Sequence, residues 1–307
     1  MPGIFVYADT VEACASLISA AYGSARGVCA LTFDEKRADE LGGYGADKVF
    51  LLKGDNPMQE SYAKAIAALL AKEGPEVFLV GSSTTGREIA AKVAMYLDCG
   101  LVGDISSLAF EGGKTITTRY IYGGAAIQTE VLDGYAVVTV PKGKFEARKY
   151  EGKTSDVITL KVESDNRVTL KETIPLEKDS KDLGAANIVV CIGMGFDKKE
   201  DMKIAEDLGR VLGATIGCTR GIVEERHWLP AGSYIGISGT TVKPSMYISL
   251  GVSGQIQHVV GIRDSKIIVA VNSNANAPIF MAADYGIVGD MYEIIPLLTE
   301  AIRDVKV

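Results

Sequence analysis

Histidine is the scarcest residue that could bind a metal or move a proton, since the chain contains only His227 and His258. A metal site built from several histidines is therefore excluded. Any catalytic histidine would have to be one of these two residues.

Cysteine is also sparse, and its spacing carries no motif. The chain has five cysteines in 307 residues, and none of them forms a C-x-x-C pair. An odd number without that spacing implies neither a zinc site nor a disulfide framework. We expect free thiols in a reducing cytosol.

Long apolar runs and an excess of basic residues are missing as well. No stretch approaches the ~20 continuous apolar residues that span a bilayer, and the amino terminus lacks the pattern of a signal peptide. Lys and Arg total 32 against 39 Asp and Glu, which gives a net charge of −7. Such a balance argues against nucleic-acid binding. We expect a soluble, cytoplasmic protein.

Short apolar runs alternate with helical patterns through the first half of the chain. The runs typical of strands are Ile4–Tyr7, Val28–Thr32, Lys48–Leu52, Val77–Val80, Arg119–Tyr122, Tyr135–Val140, Asp156–Val162 and Val168–Ile174. Between them, apolar residues recur at helical spacing, for example at Ile89, Val93 and Leu97. This alternation predicts an α/β fold, with a mostly parallel sheet covered by helices on both faces.

A polar segment, Pro175–Leu183, separates this half from a second α/β unit and is the best candidate linker. In the second unit, strands are predicted at Ile188–Ile192 and Lys266–Val271. Pro296 suits the first turn of a closing helix. At ~150 residues per domain, the sequence predicts two Rossmann-like domains, residues 1–182 and 183–307.

The segment Gly81–Glu88 resembles a phosphate-binding P-loop in outline. A P-loop needs Lys followed by Ser or Thr, but Arg87 and Glu88 occupy those places. A structural turn into a helix is the favoured interpretation. A nucleotide-dependent enzyme that acts through this first domain is the alternative function.

Glycines, hydroxyls and polar side chains concentrate in four clusters at the ends of apolar runs. The clusters are Gly217–Gly221, Ile235–Gly239, Gly251–His258 and Val271–Asn274, with Asp284–Gly286 beyond them. Open α/β sheets bind ligands at the carboxyl ends of their strands. Glycine and serine loops let backbone N–H groups approach a pyrophosphate, and a helix beginning after Gly254 would favour the anion.

The remaining polar residues of these clusters suit a flavin. A hydroxyl can bond the ring nitrogen N5, and cationic groups such as Arg220 and His258 can stabilise negative charge at N1 and O2. Taken singly, Arg220 is typical of a surface ion pair and His258 of a core histidine. Only their joint occurrence favours a cofactor site.

The stretch Gly251–Asp290, which includes GVSGQIQH and ADYGIVGD, resembles the signature of the electron-transfer flavoprotein alpha-subunit (EtfA/FixB) family. The resemblance extends over Ile188–Ile302 and, more loosely, over the first half. It implies a nucleotide-hydrolase-like first domain that contacts a beta subunit, and a second domain that binds FAD. It also implies electron exchange with a flavin dehydrogenase of the acyl-CoA dehydrogenase type.

The resemblance assigns cofactor contacts to Thr219, Arg220, Gly221, Gly236, Ser238, Gly239, Gly251, Ser253, Gly254, Gln255, Gln257, His258, Asn272, Asp284 and Tyr285. Arg220 and His258 would lie by the ring, and the Ser238 hydroxyl would bond N5. Met194 replaces an arginine common in the family. Neither a metal nor side-chain catalysis is expected, because the flavin carries the electrons.

Ile237–Ser238 replaces a Gln-Thr pair of the family and resembles NADH-dependent, electron-bifurcating members. Those members hold a second FAD in the beta subunit, whereas simple members hold AMP. The chain would pass electrons to a quinone-linked or other flavin partner. A scaffold subunit that has lost its flavin is a further hypothesis.

Overall fold

The computed structural model describes residues 2–22, 24, 26–174 and 183–305. The chain divides into two units, Met1–Ile174 and Pro175–Val307, which we call unit 1 and unit 2. Residues 175–182 of the predicted linker lie outside the described residues. The domain boundary at residue 182 therefore stays a prediction.

Unit 1 contains ten strands and four α-helices among its described residues. The strands are β1 (Pro2–Tyr7), β2 (Gly27–Thr32), β3 (Lys48–Lys53), β4 (Val77–Gly81), β5 (Gly100–Val102), β6 (Ser107–Glu111), β7 (Lys114–Ile121), β8 (Ala126–Leu132), β9 (Ala136–Val140) and β10 (Asp156–Lys161). The helices are α1 (Val11–Ala21), α2 (Glu35–Gly42), α3 (Ala63–Glu73) and α4 (Thr84–Leu97), with short 3-10 turns at Gln59–Tyr62 and Tyr122–Gly124.

Seven of these strands form a parallel sheet in the order β10-β3-β2-β1-β4-β9-β5. Successive side chains of β1 face opposite sides: Ile4 and Val6 pack with α1 and α2, whereas Phe5 and Tyr7 pack with α3 and α4. A strand that is buried on both faces must be apolar throughout. This explains why the strands appear in the sequence as continuous apolar runs, and it confirms the predicted fold class.

Strands β6, β7 and β8 form a separate antiparallel sheet. Of the predicted strand Arg119–Tyr122, the first three residues end β7 and Tyr122 begins the 3-10 turn. Leu108, Phe110 and Leu132 on one face pack against the core of unit 1. The other face, which we call the open face, consists of Ser107, Ala109, Glu111, Lys114, Ile116, Thr118, Tyr120, Ile127, Thr129 and Val131. These residues are exposed or half-buried.

The prediction of a strand at Val168–Ile174 is wrong. The segment has no regular structure, and Val168, Leu170 and Ile174 are 61%, 50% and 75% exposed. The edge of the sheet is β10, and no described strand pairs beyond it. An alternating pattern forms a strand only where a neighbour supplies hydrogen bonds and a core covers one face.

Unit 2 contains five strands and four α-helices among its described residues. The strands are β11 (Ile188–Ile192), β12 (Thr215–Cys218), β13 (Met246–Leu250), β14 (Ile268–Asn272) and β15 (Tyr285–Val288). The helices are α5 (Met202–Leu212), α6 (Arg220–Glu224), α7 (Ile256–Val259) and α8 (Met291–Val305), with 3-10 turns at Leu183–Ala185, Lys199–Asp201, Ala231–Ser233 and Pro278–Met281.

The five strands form a parallel sheet in the order β12-β11-β13-β14-β15. Val190 and Ile192 face a core that includes α5 and α8, and Val189 and Cys191 face a core on the other side. The edge strand β15 is exposed over its whole length. Because the strands are parallel, the loops that follow β11 to β14 emerge at one edge of the sheet.

Helix α8 begins earlier than predicted. Asp290 caps it, since its Oδ1 accepts the N–H of Tyr292 at 2.8 Å and its carbonyl accepts the N–H of Ile294 at 3.0 Å. Pro296 therefore lies in the second turn rather than the first. Among the described residues, no helix has the length and apolar character needed to cross a membrane.

The P-loop-like segment Gly81–Glu88 forms the turn from β4 into α4. Ser83 Oγ accepts the N–H of Gly86 at 2.8 Å and caps the helix. Arg87 pairs with Asp104 at 3.1 Å. A Cβ on Gly86 would lie 1.9 Å from the carbonyl oxygen of Gly81, so this glycine is required by packing. These contacts favour the structural interpretation over ATP binding.

The substitution Gly86→Ala should lower the free energy of unfolding by about 2 kcal/mol or more, because the added methyl group overlaps a backbone carbonyl. Urea denaturation of the full chain, followed by circular dichroism, measures the loss. Gly100→Ala is the matched control, since a Cβ there meets no atom within 4 Å. Equal losses in the two variants would contradict the packing requirement.

Candidate functional site

A cleft of about 900 Å³ lies at the carboxyl ends of the unit 2 strands. The predicted site residues that line it are Thr219, Arg220, Gly221, Gly236, Ser238, Gly251, Ser253, Gln255, Gln257, His258 and Asn272. Clusters far apart in the sequence thus meet in one place, as predicted from the strand ends. The volume is near the top of the usual ~300–1,000 Å³ range for ligand pockets and suits a dinucleotide.

Two of the predicted glycines shape the loops without lining the cleft. Gly254 has φ +82°, and a Cβ there would lie 2.2 Å from the backbone nitrogen of Ile279. A Cβ on Gly239 would lie 2.4 Å from the ring of Tyr234. Both positions therefore require glycine for close packing, which is a role different from direct contact with a ligand.

The structure does not bring Asp284 and Tyr285 to the cleft. They begin β15, so they lie at the amino ends of the strands, the opposite edge of the sheet. The Asp284 carboxylate accepts the N–H of Ile268 at 2.8 Å, which fixes the start of β14. Asp284 thus has a structural partner, and neither residue belongs to the candidate site.

Thr219 and Arg220 open the short helix α6 at the rim of the cleft. The Thr219 hydroxyl oxygen is buried and has no hydrogen-bond partner among the described residues. A buried polar atom without a partner is costly, so this hydroxyl suits a bound polar ligand. Arg220 Nε donates to Glu224 at 2.6 Å, and this carboxylate raises the pKa of Arg220 further.

Ser238 lies on an exposed loop of the cleft that carries several internal bonds. The Tyr234 hydroxyl donates to the Ser238 carbonyl at 2.6 Å. The N–H of Ile237 donates to the Gln257 carbonyl at 2.9 Å, which ties this loop to α7. The side chain of Ser238 itself is exposed at the cleft, as a hydrogen-bond donor to a ligand should be.

His258 is buried and held on both ring nitrogens. Nδ1 donates to the Ile235 carbonyl at 3.0 Å, and Nε2 lies 2.7 Å from the Tyr247 hydroxyl. Burial lowers the pKa of His258 to about 4. The prediction of a cationic His258 is therefore wrong near neutral pH, because desolvation disfavours the charged ring.

Asn272 lines the cleft, and its side-chain amide is hydrogen-bonded within the protein. Nδ2 donates to the Val252 carbonyl at 2.8 Å, and Oδ1 accepts the N–H of Asn274 at 2.9 Å. These bonds hold the loop after β14 against the loop after β13. The contact of Asn272 with a ribose or phosphate remains a prediction. In this structure, the side chain connects the two loops.

Sequence reasoning missed several lining residues, notably Glu224, Glu225 and Tyr234. Glu224 could have been identified from the sequence, because it follows Arg220 by four residues and residues at that spacing lie on the same face of a helix. Tyr234 carried no comparable signal. Met194 lines the cleft in place of the family arginine, and Arg220 is the one lysine or arginine that the described residues contribute to the lining.

The lining therefore has one cation and two carboxylates, which limits how it could hold a pyrophosphate. Backbone N–H groups and the exposed polar side chains of Ser253, Gln255 and Gln257 are the remaining donors. Within the described ranges, no group of His, Cys, Asp and Glu is arranged to hold a metal ion. The donor set suits an organic dinucleotide.

The pKa of His258 predicts how stability depends on pH. The unfolded chain takes up the His258 proton near pH 6.5, whereas the folded protein resists it until about pH 4. The free energy of unfolding should therefore decrease as pH falls between these values, by on the order of 3 kcal/mol for this group.

Urea denaturation of the wild type and of His258→Asn at several pH values measures this effect. The carboxylates titrate in both proteins, so the difference between the two curves isolates His258. Parallel curves between pH 6.5 and 4 would show that the histidine is not held neutral.

Comparisons with known proteins identify the family of the chain. Residues 182–263 match the electron transfer flavoprotein FAD-binding domain, and residues 10–165 match the electron transfer flavoprotein domain. Protein FixB of Escherichia coli O157:H7 is 34% identical over 305 residues, and that of Salmonella typhi is 35% identical over 306 residues. Each alignment covers 97% of both chains. The chain therefore belongs to the electron transfer flavoprotein alpha-subunit (FixB) family and binds FAD.

Proposed function

We propose that the unit 2 cleft holds FAD and that the chain carries electrons between a flavin dehydrogenase and an acceptor. A dehydrogenase of the acyl-CoA dehydrogenase type is the proposed donor. The observation that carries the proposal is the buried, unpartnered Thr219 hydroxyl beside Arg220 in a cleft of about 900 Å³. FAD supplies the electron transfer itself, so the chain's residues need only bind it and set its potential.

Arg220 and Glu224 are the proposed electrostatic pair of the site. In the described part of the chain, Arg220 is the one lysine or arginine of the lining, so it would stabilise negative charge on the flavin ring. Glu224 lies 2.6 Å from it and opposes that effect. With His258 neutral, these side chains carry the local field, while Ser238 supplies the proposed hydrogen bond to N5.

The substitution Arg220→Ala should lower the flavin midpoint potential by tens of millivolts, because a positive charge near the ring favours reduction. Glu224→Gln should raise it, because a negative charge is removed. Both are measured by reductive titration of the purified heterodimer with a reference dye.

Arg210→Ala is the matched control, since Arg210 lies on α5 and pairs with Asp207 at 2.9 Å, outside the cleft lining. Its potential should equal that of the wild type. Shifts of the same sign in Arg220→Ala and Glu224→Gln would refute the electrostatic assignment.

The open face of unit 1 is the proposed contact for the beta subunit. Its centre is apolar, with Tyr120, Ile127 and Val131 45%, 63% and 56% exposed, and its charged residues Glu111 and Lys114 lie at the end where β6 turns into β7. The charged pair Arg119–Glu130 lies on the other side of the same strands, facing the protein. An exposed apolar patch of this kind suits a permanent partner.

Ile127→Glu should weaken the heterodimer by tenfold or more, because a charge would be buried at the contact. The affinity of the purified subunits, measured by titration calorimetry, tests this. Met95→Glu is the control, since Met95 is a similarly exposed residue on α4. An undiminished affinity for Ile127→Glu would place the beta subunit elsewhere.

The finer proposal is that the heterodimer works as part of an NADH-dependent, electron-bifurcating complex. The feature that supports it is Ile237–Ser238, at the positions where simple members have a Gln-Thr pair. A bifurcating partner needs a second flavin, whereas a simple partner binds AMP.

The co-purified heterodimer should therefore contain two FAD molecules and oxidise NADH. Released flavin is counted by absorbance against protein concentration, and NADH oxidation is followed at 340 nm. One FAD per heterodimer, with bound AMP, would establish the simple carrier instead.

The cytoplasm is the proposed compartment. All five cysteines are free, and Cys14, Cys29, Cys191 and Cys218 are buried. Burial raises the pKa of each of these thiols, which keeps them protonated and unreactive. Free buried thiols suit a reducing compartment.

A further inference from the structure

We propose that Tyr247 is a positioning residue that, through His258, locks the Ile235–Gly239 loop so that Ser238 faces the cofactor. The inference rests on the proposed role of the cleft, but Tyr247 itself lies beneath the lining, on β13. It adds to the site a residue that would not touch FAD.

The direction of the hydrogen bonds follows from the chemistry of each group. The Ile235 carbonyl can only accept, so His258 Nδ1 carries the proton. The neutral ring then has a lone pair on Nε2, and the Tyr247 hydroxyl must donate to it across 2.7 Å. The Ile235 carbonyl and the Tyr247 hydroxyl thus together fix the tautomer and the orientation of the ring.

Burial makes these bonds difficult to replace by water. Tyr247 is 0% exposed and His258 is 7% exposed. Cys191 Sγ, 4.0 Å from Nε2, is the other titratable group at the ring. Burial raises the pKa of both Tyr247 and Cys191, so each stays uncharged. Within the described residues, no carboxylate contributes to the pKa of His258.

These hydrogen bonds act on the backbone of the Ile235–Gly239 loop, which carries Ser238. On one side of Gly236, the Ile235 carbonyl is held by the His258 ring at 3.0 Å. On the other side, the N–H of Ile237 is held by the Gln257 carbonyl at 2.9 Å. Both anchors come from consecutive residues at α7, and Tyr247 links the ring to β13, an interior strand of the sheet. The position of the loop therefore depends on the ring of His258.

The test is Tyr247→Phe in the FAD-loaded heterodimer. Amide hydrogen exchange at Ile237 should rise about tenfold, as expected from the loss of one hydrogen bond. The pKa of His258, measured by NMR titration, should rise, because the lost donor stabilised only the neutral ring. FAD should also dissociate faster.

Tyr62→Phe is the matched control. Tyr62 is a fully buried tyrosine of unit 1, and its hydroxyl is bonded to the backbone of Asn56. The same loss of a hydroxyl there should leave the exchange at Ile237 and the pKa of His258 unchanged. If Tyr247→Phe raises exchange evenly across unit 2 with no change in the His258 pKa, the tyrosine only stabilises the fold and the proposal fails.

A measurement on the wild type decides the question even if Tyr247→Phe does not fold. Nitrogen NMR of the heterodimer should show the proton of His258 on Nδ1, and a proton on Nε2 instead would overturn the proposal. A heterodimer without flavin would refute the proposed electron-carrier function. The tautomer and the exchange rates would still test the positioning role of Tyr247 separately.

Discussion

The parallel alignment of β11 to β14 is the constraint on which the candidate site depends. Parallel strands send all their carboxyl ends to the same edge, so loops separated by dozens of residues meet there. Each loop alone is a short polar segment with little fixed shape. The sheet holds them at its own spacing, and contacts such as Asn272 to Val252 then fix one loop against the next.

Elements that leave a pattern in a short stretch of sequence could be predicted. Buried strands such as Ile188–Ile192 and the loops that follow them were predicted correctly because burial on both faces leaves an apolar run. The prediction for Val168–Ile174 was wrong because alternation says nothing about whether a neighbouring strand exists. Asp284 was assigned to the site because a sequence does not show which end of a short strand a polar residue occupies.

The electrostatics of the site were the least predictable part. A histidine beside a proposed flavin suggested a charge, but Tyr247 and Ile235, which hold it neutral, are 11 and 23 residues away in the chain. Only the fold brings them together. With His258 uncharged, the proposed potential depends on one surface ion pair, Arg220 with Glu224. Such a pair is open to solvent, so its effect on the cofactor should weaken with ionic strength.

The open edge at β15 has a consequence for how the protein is made. All four residues of that strand are exposed, and its outer side pairs with no described strand. An unpaired apolar edge is a template for strand addition by another chain. An alpha chain synthesised in excess would therefore tend to pair with copies of itself.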